Sequence, residues 1–174
     1  MTSGITEQLA ESRYDYISLQ DKAFIAKFDA EMEAQGYSAG GIITPGYAGA
    51  PAWGRHLLIY AKTGIKSKQV AARIYCTDKG VILRLFLSNV DRHAGFIEKT
   101  PEYIRAAFDI GPGDCHHCKD RPGGLCRFRK TYTLNGKLHE KCSGEVFQFL
   151  KPETEKLPSY IALFREFYPL RRKK

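Results

Sequence analysis

Long apolar runs are missing from this sequence, and cysteine, methionine and tryptophan are scarce. Five cysteines, two methionines and one tryptophan occur among 174 residues. Five cysteines are too few for a small fold stapled by disulfides, and an odd number cannot pair completely. The longest uncharged stretch, residues 34–54, is broken by Gly36, Gly40, Gly41, Pro45, Gly46, Gly49, Pro51 and Gly54. It reads as loop and short strand, not as a membrane-spanning helix. The opening residues carry acids at Glu7, Glu11 and Asp15 and lack the basic-then-apolar pattern of a secretory leader. The expectation is a soluble cytoplasmic protein with no membrane partner. There thiols stay reduced and are free to bind metal instead of forming disulfides.

Catalytic signatures are missing as well. The chain has no G-x-S-x-G, no H-E-x-x-H and no H-x-E paired with P-C-x-x-C, patterns that set a nucleophile or a metal-bound water at a fixed spacing. His56, His93, His116, His117 and His139 stand at no recognisable spacing from a nucleophile. Gly46, Gly49 and Gly54 match neither a dinucleotide-binding nor a P-loop fingerprint. The residue order therefore points to binding and not turnover, although triads assembled by a fold leave no mark in residue order.

What is present is a globular composition, 43% hydrophobic and 26% charged, with 27 basic against 19 acidic residues and a net charge of +8. The excess is lopsided. Residues 1–112 hold 13 Lys/Arg and 12 Asp/Glu, whereas residues 113–174 hold 14 and 7. Gly111-Pro112-Gly113 separates an expected α+β core region, 1–112, from a basic cysteine-rich hairpin and C-terminal helix, 113–174. The two are expected to form one integrated domain.

Periodicity supplies the elements. Ser18 with Asp21 marks a helix start, Phe24, Phe28 and Met32 form one stripe, and Gly36 ends it. Three strand-like runs follow, 56–60, 70–76 and 81–87, the last two joined through Thr77-Asp78-Lys79-Gly80. Val70, Ala72, Ile74 and Cys76 fall on one face, which makes Cys76 a core residue. Helical pattern returns from Asp91 to Phe108, with a break at Pro101, and a last helix spans Tyr160 to Tyr168. The fold class expected is α+β: an antiparallel sheet with packed helices, plus a cysteine knuckle and β-hairpin in the C-terminal third.

The sharpest chemical pattern is Cys115, Cys118, Cys126 and Cys142, spaced C-x2-C-x7-C-x15-C. A C-x2-C knuckle sets two sulfurs on one ion at about 2.3 Å, and two more thiolates close the tetrahedron of a structural zinc. Asn135-Gly136 lies midway between Cys126 and Cys142 and forms a two-residue hairpin turn that brings the chain back. Pairing Leu134 with Lys137 sets Cys142 opposite Arg129, so a bulge or a curl before Arg127 has to close the gap. His116, His117 and His139 are reserve ligands. A redox-responsive set of thiols is the alternative reading of the same residues.

Basic residues give two candidate partner surfaces. Arg127, Arg129, Lys130, Lys137 and Lys141 decorate the hairpin, with Lys119 and Arg121 in the knuckle, a distribution suited to nucleic-acid phosphates. Only Phe128 and Tyr132 are placed there to stack on bases. In the sheet, a turn through Asp78-Lys79, the register that hydrophobic matching favours, pairs Ile74 with Leu83 and sets Arg73 directly opposite Arg84, with Tyr75 and Phe86 on the same face. A three-residue loop ending at Gly80 would shift the register by one and set Arg84 against Ile74. An Arg73–Arg84 pair needs an acidic partner or a bound anion. Trp53, Tyr60 and the glycine-rich 46–54 loop are the expected aromatic wall and mouth. The functional expectation is a zinc-stabilised, non-catalytic module for an anionic partner. The alternatives are a small-molecule sensor or enzyme on the Arg73/Arg84 face, a nucleic-acid-binding hairpin at 119–141, and the redox thiol protein.

Metal analysis of protein purified without a histidine tag is expected to find one zinc per chain, the stoichiometry of a closed four-thiolate site. Cys142→Ala should lower metal content and stability together. Metal-free protein with freely reacting Cys115 and Cys118 would contradict the assignment.

Overall fold

The computed structural model describes residues 4–47, 53–64, 69–109, 128–142 and 145–170. Strands β3 (His56–Lys62), β4 (Val70–Thr77) and β5 (Gly80–Phe86) form a continuous antiparallel meander. On one side β1 (Tyr37–Ser38) and β2 (Thr44–Pro45) pair with opposite ends of β3; on the other, β8 (Val146–Leu150) pairs antiparallel with β5. A separate ribbon consists of β6 (Lys130–Leu134) and β7 (Lys137–Lys141). The α+β architecture expected from the periodicity is present. Among the described residues, no helix is long and apolar enough to cross a membrane.

Strand alternation sorts the sheet into two unlike faces. Leu58, Tyr60, Ala72, Ile74, Cys76, Leu83, Leu85, Phe147 and Phe149 all point to one side and are buried. Two helices cover that side, α2 (Leu19–Ala34) and α5 (Leu157–Phe167), the latter with Pro158 in its first turn. At the start of α2 the Ser18 side chain accepts a hydrogen bond from the Asp21 N–H and donates to its carboxylate, satisfying one of the helix's orphan donors. Gly36, at φ 79°, turns the chain away after Gln35. Phe28 packs edge-on against Tyr60 with ring centroids 5.3 Å apart, and Phe149 meets Tyr160 at 5.0 Å. Tyr60, expected beside Trp53, instead faces this core and is fully buried, because it shares the alternation of Leu58 and Ile74.

The segment between sheet and ribbon is helical in short pieces: a 3-10 turn (Val90–His93), α3 (Ala94–Ile97) and, after Pro101, α4 (Glu102–Arg105). Another short helix, α1 (Ile5–Leu9), precedes α2 and buries Ile5 and Leu9. The pieces around 90–105 hold the ribbon. Asp91 Oδ1 accepts from Thr133 N at 2.8 Å, and Glu98 Oε1 accepts from Asn135 N at 2.6 Å. Tyr132 inserts beside Phe108 and Phe147 and donates its hydroxyl hydrogen to the Phe108 carbonyl. One apolar cluster accordingly runs from Ile5 to Phe164 and takes in Tyr132 and Leu134 of the ribbon.

Backbone crowding shapes the approach to the second face. Gly54 lies at φ 76°, and a Cβ there would sit 2.4 Å from the Cys76 carbonyl oxygen. Gly46 N donates to Arg55 O at 2.7 Å, and a Cβ on Gly46 would lie 2.1 Å from Gly54 O. These two glycines are thus contact points between backbones. Gly54→Ala is expected to lower stability by about 1–3 kcal/mol through backbone strain and displacement of β3 from β4, measured as a shift in denaturant midpoint. An unchanged midpoint would show that this junction yields freely.

Candidate functional site

The second face of the sheet carries the side chains that the core excludes. The two-residue turn at Asp78-Lys79 pairs Thr77 with Gly80, and the register then sets Ile74 against Leu83 and Arg73 directly against Arg84. Across the next strand boundary Arg84 lies opposite Gln148. Both arginines are half-buried, flanked on the same face by buried Tyr75 and Leu57 and by half-buried Phe86.

Each guanidinium leans on an aromatic ring. Arg84 Cζ stands 4.8 Å from the Tyr75 ring centroid, and Arg73 Cζ stands 5.3 Å from Phe86 and 5.9 Å from Trp53. Trp53 in turn faces Tyr75 at 6.2 Å and Tyr47 at 6.4 Å. Contacts of this kind contribute about 0.5–1 kcal/mol at partly exposed positions. They hold the cations in place without neutralising them. The direct hydrogen bonds are few: Arg84 Nε donates to Gln148 Oε1 at 2.9 Å, and Arg73 Nη1 donates to Tyr75 Oη at 3.3 Å. Arg73 Nε is buried with no acceptor among the described residues. Nor, among those residues, does a carboxylate oxygen lie within 4.0 Å of either guanidinium. Acids on flanking segments are engaged elsewhere, Asp78 with Arg55, Glu140 with Arg129 and Glu145 with Ser88.

The ribbon sets a cation against Phe147, a residue of the core-facing row of β8. Lys141 Nζ lies 5.2 Å from the Phe147 ring centroid. Burial pushes this ammonium below the ordinary lysine value; the Arg84 charge lowers it further, while Cys142 acts in the opposite sense. Lys130 stands directly across from Lys141. The second face thus sets Arg73 and Arg84, both half-buried, among aromatic rings and beside buried Leu57 and Tyr75. A cavity of about 820 Å³ lies elsewhere, where the start of α2 meets the β4–β5 turn. It mixes Lys27, Lys79 and Lys151 with Asp21, Asp78 and Glu153 and shows no preference for one sign of charge.

The other predicted residues separate into groups. Cys115, Cys118, Cys126 and Arg127 lie outside the described residues. Cys142 follows β7 and is half-buried, and among the described residues no three His, Cys, Asp or Glu side chains are grouped to hold a metal. Cys76 is fully buried, and burial raises its thiol to about 12, which makes it inert. Arg129 is paired with Glu140. Tyr132, expected as a base-stacking ring, is only 3% exposed. The reason is the alternation of the ribbon: Tyr132, Leu134 and His139 face the body, leaving Thr131, Thr133, Leu138 and Glu140 outward. Among the described residues, that outward face carries no cluster of basic groups. Gln148 and the whole of β8 escaped the sequence reading, although the alternating Phe147 and Phe149 were its signal.

The described histidines are occupied in packing. His93 Nδ1 meets Glu166 Oε1 at 2.8 Å, and His139 Nε2 lies 3.6 Å from Asp109 Oδ1 while stacking on Tyr132. His56 shares a 2.7 Å hydrogen bond with the Tyr16 hydroxyl and sits edge-on to Tyr14. No protein-family model matches the chain, and no curated protein or solved structure is significantly similar to it. The function has to be argued from these side chains.

Burial, aided by the Arg13 and Arg55 charges, lowers His56 below the usual histidine value. As pH falls through about 6.5, the unfolded chain takes up a proton that folded His56 resists, so stability should decline. His56→Gln should remove that part of the acid slope in equilibrium unfolding. An identical slope in both proteins would contradict a neutral, partly buried imidazole.

Proposed function

We propose that this chain is a non-catalytic binding module for a small anionic ligand, taken up on the Arg73/Arg84 face of the sheet. One observation carries the reading: strand register opposes two half-buried guanidinium groups, with no carboxylate within 4.0 Å among the described residues. Like charges directly opposite each other destabilise a strand pair by about 0.2–1 kcal/mol. A buried N–H without an acceptor, such as Arg73 Nε, costs about 1–3 kcal/mol. An anion settling against the two groups relieves the first penalty and gives Arg73 a reason to turn toward an acceptor. Paired guanidinium forks also match the oxygen spacing of carboxylate, phosphate or sulfate, which a lysine pair does not.

In this reading zinc is a structural ion held by Cys115, Cys118, Cys126 and Cys142. Its support is the cysteine spacing, together with the position of Cys142 at the end of a hairpin strand. Four thiolates fill the metal's shell and leave no position for a reacting water. A cytoplasmic setting belongs to the same reading, since thiolate ligands need a reducing compartment. The nucleic-acid alternative has less support, because burial removes Tyr132 as a stacking platform and leaves Phe128 as the exposed ring of the two.

Thermal unfolding with added inorganic phosphate tests the proposal, with chloride at matched ionic strength as control. At ten times its Kd the anion should raise the melting temperature by about 3–6 °C in a domain of this size. Arg84→Ala and Arg73→Ala should each abolish most of that rise. No rise, or an equal rise in both variants, would contradict the reading.

A further inference from the structure

We infer that the ligand of this face is a flat aromatic ring carrying a phosphoryl group, as in an aryl phosphate or a mononucleotide. This inference rests on the anion-binding reading above and adds the shape and charge of what is bound.

The two ends of the face differ in chemistry. At the β3–β4 end stand Trp53 and Tyr47, the latter 66% exposed, with ring centroids 6.4 Å apart. Trp53 is half-buried, and an aromatic pair with one exposed member beside a cation offers a π-surface for another ring. At the β5–β8 end stand Arg84 and Gln148. Arg73 lies between the ends, touching Trp53 on one side and Phe86 on the other. Adjacent strands are about 4.8 Å apart, so β4 to β8 spans about 10 Å. A ring on Trp53 and a phosphoryl group over Arg84 fit that span.

Charge favours phosphate over carboxylate. Arg73 and Arg84 form an in-register like-charge pair. Among the described residues, neither has a carboxylate within 4.0 Å. A monocarboxylate brings one negative charge, whereas a phosphate monoester brings close to two at neutral pH and offers three oxygens to the guanidinium forks. Gln148 supplies an amide N–H donor, since its carbonyl is already used by Arg84.

Trp53 is the single tryptophan in the chain, so its fluorescence reads this site without interference. Titrations with inorganic phosphate, phenyl phosphate, adenosine monophosphate and benzoate, each also followed by calorimetry, test the inference. Phenyl phosphate or the nucleotide should bind about five- to tenfold tighter than inorganic phosphate and perturb Trp53 emission, with benzoate weaker than either. Whichever of the two binds tighter tells a nucleotide from a smaller aryl phosphate. Trp53→Ala, read by calorimetry, should bring the ratio of phenyl phosphate to inorganic phosphate affinity down to about one; Trp53→Phe should restore most of the preference. If phosphate binds and both aryl phosphates bind no tighter, the ring is overturned while the anion reading stands. Benzoate binding as tightly as phenyl phosphate overturns the phosphoryl group. If none of the four binds, both readings fail together, and binding that survives Arg73→Ala with Arg84→Ala puts the ligand elsewhere.

Discussion

The register of one hairpin governs the molecule. Between β4 and β5, Ala72, Ile74 and Cys76 meet Leu85, Leu83 and Val81 on the side covered by helices. A slip of one residue would turn each of these toward the other face. The loss would amount to several buried aliphatic side chains at about 1.5–3 kcal/mol each. No such penalty opposes the arginines, since their repulsion is weaker by severalfold. The core therefore decides the pairing, and Arg73 and Arg84 are forced together as a consequence.

The surroundings manage that consequence instead of cancelling it. Aromatic rings from Trp53, Tyr75 and Phe86 take up the guanidinium faces, and Gln148 accepts one N–H. These contacts fix where the cations point while leaving their charge in place, which suits a site that meets its counter-ion from outside. The β6–β7 ribbon contributes through packing. Tyr132 anchors it beside Phe108 and Phe147, Asp91 and Glu98 cap its backbone, and Lys141 is thereby brought to the β8 edge.

Much of this was legible in residue order, and the reasons are local. Ser18 and Gly36 bracket α2 because capping and left-handed closure act over a few residues. Asp78-Lys79 and Asn135-Gly136 gave the two hairpins, and with them the Arg73–Arg84 and Lys130–Lys141 pairs. Failures came where a face had to be chosen by distant partners. Tyr60 went to the core and Tyr132 to the ribbon's inner side, because burial against Phe28 and Phe108 outweighs any use of their hydroxyls at the surface. The strand β8 is only five residues long and joins β5 across more than fifty intervening positions, a pairing that no short-range pattern announces. Gln148 and the reach of Lys141 were hidden with it.

Nuclear magnetic resonance of the arginine Nε–Hε groups during a phosphate titration tests the central claim most directly. The Arg73 and Arg84 resonances should shift together along one saturable curve, with the Arg73 proton slowing its exchange with water as its nitrogen gains an acceptor. Unmoved signals from both, or shifts confined to other arginines, would contradict an anion site on this face of the sheet.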